Sequence, residues 1–149
     1  MGETTIIDAS NPFAYLAAAA TGDIGAQRAL AMQAVAITQD DPTTEPLSAL
    51  REGLVFARLA AAHSAREDSD DGRVIAMLAL AADLCELDGD SDTADIFGGE
   101  ALARVSLMAE RGVALADEML PRAIEHSRAN TMVEAKWFER AMREHGGSA

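Results

Sequence analysis

Three arginines in the middle of the chain, Arg51, Arg58 and Arg66, are the residues whose type and spacing most invite a chemical reading. They fall near one face of an expected helix, with Val55 and Ala62 between them. The whole sequence holds 12 lysines and arginines, and neither Arg51 nor Arg58 has an acidic residue three or four positions away. A guanidinium grips a carboxylate through two parallel hydrogen bonds, so such a row suits a groove that receives a carboxylate or an acidic peptide. The competing reading pairs these arginines with acids on a neighbouring helix. With 25 aspartates and glutamates in the chain, that reading carries the greater weight.

A second candidate is Asp88-Gly89-Asp90-Ser91-Asp92, because alternating aspartates open a calcium-binding EF-hand loop. That loop also requires glycine at its sixth position and a bidentate glutamate at its twelfth. Thr93 and Gly99 stand there instead, and Glu100 comes one residue late. A solvated loop whose Asp92 caps the next helix is the simpler expectation. The acidic run Glu67–Asp71 follows no ligand pattern. His63, His126 and His145 pair neither with one another nor with a glutamate at helical metal-ligand spacing. A phosphate loop, a dinucleotide fingerprint, a nucleophile elbow and a Cys–His arrangement are all missing. No catalytic residue, metal or cofactor is therefore assigned. The single cysteine, Cys85, rules out an internal disulfide and sits among Ala81, Leu84 and Leu87, which suits a buried, inert thiol.

The elements that position these residues read as helices. Alanine is abundant and aromatics make up only 4 % of the chain, a balance that favours helix over sheet. Asn11-Pro12 opens a first helix and Gly22 stops it; Asp23 caps a second. Gln39–Pro46 is a connector. Leu47, Leu50, Leu54, Val55, Leu59 and Ala62 keep the three- and four-residue spacing of one buried face, predicting a helix that runs to about Arg66. After the acidic stretch ending at Gly72, Arg73–Leu87 is apolar nearly all round and should be central. Gly98-Gly99 should loosen the first turn of the following helix. Pro121 should kink or restart the segment Val113–Arg128. Thr131 and Glu134 should form a capping box for a last helix carrying Trp137 and Phe138, of which one faces the core and the other an edge. Glu100–Arg104, Glu118–Arg122 and Glu139–Arg143 are oriented to pair along their helices.

The expectation is an all-α protein of six to seven helices arranged as antiparallel hairpins in a short α–α superhelix, with a closed bundle as the alternative. A segment 1–10 and a tail 146–149 flank a single helical domain, 11–145. The formal charge of −13 disfavours nucleic acid and anionic membranes as partners. The N-terminus lacks a signal-peptide pattern, and the longest apolar runs are far shorter than the roughly 20 residues of a membrane helix, so a cytoplasmic setting is expected.

Two stretches carry a family resemblance. Gly22-Asp23, followed by Ala26, Gln27 and Leu30, resembles the junction between Sel1-like repeats, relatives of the tetratricopeptide repeat. Ala135, Trp137, Phe138, Ala141 and Gly146 resemble the second helix of such a unit. Ala135 and Phe138 keep the family's alanine-to-aromatic spacing, whereas Trp137 fits better with Ala141, and the glycine-rich turn within the unit is missing. The resemblance implies a helical-repeat scaffold that binds another protein or a copy of itself, as in a homodimer, and brings no catalytic residues with it. A small-ligand-binding or regulatory bundle, with Met32, Met77, Met108 and Met119 as candidate pocket residues, is the alternative. An enzyme whose site assembles only on folding comes third.

Overall fold

The computed structural model describes residues 12–40 and 45–145. Within them the chain forms seven α-helices and no strand: α1 (Pro12–Ala20), α2 (Ile24–Asp40), α3 (Pro46–Ala62), α4 (Asp68–Leu87), α5 (Ser91–Glu110), α6 (Ala114–Glu125) and α7 (Ala129–His145). The all-α expectation holds. Asn11 as a helix cap, the segment 1–10, part of the connector before Pro46 and the tail 146–149 lie outside the described residues.

Three of the connections use one device. After α1, α4 and α5 a glycine adopts positive φ: Gly22 at 103°, Gly89 at 78° and Gly112 at 74°. At each, the glycine N–H bonds to the carbonyl three residues back and the next N–H to the carbonyl five back, as in Asp90 to Cys85 at 2.9 Å. This double closure satisfies orphan carbonyls at the helix end and reverses the chain in a few residues, so the following helix returns antiparallel. The residue after the turning glycine then starts the next helix. Asp23 Oδ1 accepts the Ala26 N–H, and Asp90 Oδ1 accepts the Thr93 N–H. Asp90, and not Asp92, caps α5.

The helices pack in chain order, α1 on α2, α2 on α3, α3 on α4, α4 on α5 and α5 on α6, and α7 returns to lie along α5. The core runs from Ala31 through Leu50, Leu54 and Ala57 of α3 and Val74, Met77, Leu78 and Ala81 of α4 to Val105 and Met108 of α5. Alanine is frequent in it, and small side chains bring the axes close. At Gly53 an added Cβ would strike Ala34 of α2 and stand 2.9 Å from Met77 Cε of α4.

Several boundaries differ from expectation. α3 stops at Ala62, so Arg66 lies in the connection to α4. His63 sets that stop: its Nε2 donates to the Gly22 carbonyl at 2.8 Å and its Nδ1 accepts the Ala65 N–H at 2.9 Å, tying the α3 end to the α1–α2 turn. α4 begins at Asp68, inside the acidic stretch before Arg73, because Glu67 and Asp70 form a capping box around its first turn. α5 passes through Gly98-Gly99 unbroken. At Gly99 an added Cβ would lie 2.5 Å from Glu134 Cβ, so the glycine there admits the backbone of α7. α6 likewise continues through Pro121 and ends at Glu125. Thr131 is no cap, since α7 has already started at Ala129; its buried hydroxyl donates to Asp95 Oδ1 at 2.8 Å.

Candidate functional site

Pairs of charges tie the helices together across the layers. Arg28 of α2 grips Asp70 of α4 with both arms, Nε to Oδ1 at 2.8 Å and Nη2 to Oδ2 at 2.7 Å. Arg58 of α3 holds Glu100 of α5 in the same two-pronged way, at 3.0 and 2.6 Å. Both pairs join residues 42 apart in sequence. One links α2 to α4 and the other α3 to α5, so the hairpin α4–α5 sits on the hairpin α2–α3 in a single register.

Neighbouring aspartates at the start of α4 titrate in opposite directions. The hydrogen bond from Arg28 is the largest influence on Asp70 and holds its carboxyl down at about 2 despite complete burial. Asp71 is raised, because burial outweighs its more distant partners, Arg111 at 3.5 Å and Arg104 at 3.9 Å. Burial also pushes the Glu100 carboxyl up, but the hydrogen bond from Arg58 and the charges of Arg104 and Arg58 outweigh it. Glu100 therefore stays ionised at neutral pH.

This pair lines a concave surface between α3, α5 and α7. An open groove of about 590 Å³ is lined by Arg58, by Ile96, Phe97, Glu100 and Arg104 of α5, and by Trp137, Phe138, Ala141 and Met142 of α7. Phe138 turns inward and is half-buried, while Trp137 is 59 % exposed; the rings meet edge to face, centroids 5.1 Å apart. Adjacent helical positions point about 100° apart, so the two rings divide between wall and rim. Ile96 and, on the same side of α3 as Arg58, Val55 and Leu59 are also exposed. Two guanidiniums, Arg58 and Arg104, share the one carboxylate of Glu100. Arg51 places a third cation 5.5 Å above the Phe97 ring and makes no ion pair among the described residues. The groove is thus apolar and locally positive on a chain of net charge −13. Neither a family model, nor a curated protein, nor a solved structure matches this chain.

The three arginines singled out from the sequence separate in the fold. Arg51 and Arg58 stay on α3: Arg58 lines the groove and is already bound to Glu100, while Arg51 lies over the Phe97 ring beside it. Arg66 lies past the helix end and donates to the His63 carbonyl at 3.2 Å. The groove's aromatic wall comes from helices far along the chain, and its signal in sequence was the adjacent pair Trp137-Phe138, which cannot both be buried by one narrow face.

Other candidates take structural roles. No group of three or more His, Cys, Asp or Glu residues among those described is arranged to hold a metal. Asp90 is occupied by the backbone and hydroxyl of Thr93, which hold its carboxyl below the usual range. Cys85 is buried, and burial pushes its thiol up, away from the reactive thiolate. Of the oriented helical pairs, Glu100–Arg104 forms at 2.9 Å, whereas Arg143 reaches Glu110 of α5 instead. No described helix is long and apolar enough to cross a membrane.

Proposed function

We propose that this protein is a non-catalytic helical interaction module whose α3–α5–α7 groove holds a segment of a partner protein that combines large apolar side chains with carboxylates. One observation carries the reading: a half-open aromatic wall, Phe97, Phe138 and Trp137, lies beside Arg58 and Arg104, which share the Glu100 carboxylate, with Arg51 over the Phe97 ring. Exposed tryptophan and arginine together are the residue types that dominate binding energy at protein interfaces. With Arg51 outside any ion pair among the described residues, the groove favours an acidic partner on an otherwise acidic surface, where a basic partner would find more sites elsewhere. The equal 42-residue separation of Arg28–Asp70 and Arg58–Glu100 supports a stack of helical hairpins, and with it the likeness to Sel1-like and tetratricopeptide-like scaffolds. A cytoplasmic setting accords with a lone cysteine kept as a buried thiol.

The alternative of a bundle closed around a methionine-lined pocket has less support. Met77 and Met108 fill the core and Met32 is 56 % exposed, so of the four methionines Met119 alone lines a concave surface, between α4, α5 and α6. A random-peptide display selection against the intact protein tests the proposal. Enriched sequences should pair Leu, Phe or Trp with Asp or Glu, and should lose binding at least tenfold to Trp137→Ala and to Arg51→Glu. Enrichment of basic sequences, or binding that ignores both substitutions, would overturn it.

A further inference from the structure

Among the described residues, Leu87 at the end of α4 is the most exposed large apolar side chain, at 83 %. It is also the only exposed one of that kind with a carboxylate on both sides, Glu86 and Asp88. Residues 83–92 hold five acids, Asp83, Glu86, Asp88, Asp90 and Asp92, and no lysine or arginine. Within the chain Arg128 of α7 reaches Glu86, and Thr93 occupies Asp90. Asp88 makes no ion pair among the described residues. The turn that presents Leu87 is held rigid. Gly89, at φ 78°, donates its N–H to the Glu86 carbonyl at 3.0 Å, and the Asp90 N–H reaches the Cys85 carbonyl at 2.9 Å. A turn fixed in this way gives up little conformational entropy when it docks.

The α4–α5 turn therefore has the chemistry that suits the α3–α5–α7 groove: a large apolar side chain set between carboxylates. The groove offers an aromatic wall with Arg58 and Arg104, and Arg51 over the Phe97 ring. Leu87 does not line the groove of its own chain. The two features nevertheless share one end of the molecule. Hydrogen bonds from Thr93 hold the Asp90 carboxyl below its usual range, and the Arg51 charge adds to them, so Arg51 stands near the turn. A giving and a receiving surface side by side are what a two-fold pair requires, since each contact is then made twice. Two chains of charge −13 repel one another, but at physiological salt that repulsion is screened beyond about 8 Å, and charges in contact are screened less.

We propose that the occupant of the groove is the α4–α5 turn of a second copy. The two chains exchange turns, so that Leu87 of each lies against the aromatic wall of the other and the flanking carboxylates meet Arg51. This rests on the reading of the groove as a site for acidic, apolar segments. Sedimentation of the full-length protein at physiological salt should show a rise from one chain to two by roughly 100 μM, where a contact of micromolar affinity is largely saturated. Leu87→Lys and Arg51→Glu, both at exposed positions, should each weaken pairing at least tenfold with helical content unchanged. Their equimolar mixture should pair more tightly than either variant alone, because the unaltered turn of one chain then meets the unaltered groove of the other. Pairing that ignores both substitutions, a mixture no tighter than its components, or growth past two chains would overturn the proposal. A protein that stays single while its groove still takes up an acidic, apolar display-selected peptide would remove the second copy as occupant and leave the reading of the groove standing.

Discussion

Asp70 is the most consequential single carboxylate in this fold, and Asp70→Asn tests why. The side chain is fully buried, receives both arms of Arg28 and one of Arg73, and accepts the Glu67 N–H that opens α4. These contacts lower its pKa from 3.8 to about 2, which at ~1.4 kcal/mol per pKa unit corresponds to about 2.5 kcal/mol of stability held by the ionised form. Because the folded value is the lower one, that stability is present above pH 4 and is lost as the pH falls through 4 towards 2. The asparagine variant keeps the shape and an acceptor but not the charge. Urea unfolding of both proteins across pH 2–7 should give a gap of about 2.5 kcal/mol at pH 7 that closes near pH 2. A gap that stays constant over that range, or one below about 0.5 kcal/mol at pH 7, would refute the assignment to ionised Asp70.

Asp71, one residue on, should behave oppositely: its raised pKa means that ionisation is less favourable in the folded chain, so Asp71→Asn should leave stability at pH 7 unchanged or higher in the same unfolding assay. The two adjacent glycines of α5 should also differ. Gly99→Ala should lose about 1–3 kcal/mol by forcing α7 away, whereas Gly98→Ala meets only Thr131 Cγ2 at 3.3 Å and should stay within about 1 kcal/mol of the parent, as read from thermal denaturation. Thr131→Val should cost about 1–2 kcal/mol by removing the buried hydroxyl from Asp95, and Thr131→Ser should restore most of it.

Helix content was legible because alanine, the apolar spacing of α3 and the turning glycines all act locally. Gly22 and Asp23 terminate and start helices through bonds to residues within five positions, and such bonds are written in the sequence. Boundaries failed where a distant group took over. His63 ends α3 early by bonding to Gly22, 41 residues back, and Thr131 loses its capping role to Asp95. Gly98-Gly99 reads as a weakness in isolation, yet its second glycine is the contact point for α7. The site was legible in part. The scarcity of cations marked Arg51 and Arg58, but that Glu100 is the partner of Arg58 depends on a register of 42 residues that no helical period reveals. The aromatic wall likewise joins α5 to α7, and only the fold brings Phe97 beside Phe138.

Trp137 is the only tryptophan in the chain, and its emission reports directly on the groove. Titration of an acidic, apolar display-selected peptide into the protein should shift that emission to the blue and protect it from acrylamide, and Arg51→Glu should weaken the titration at least tenfold while leaving the helical content intact. A peptide that binds with Trp137 still as accessible to acrylamide as in the free protein would contradict the groove as the docking site.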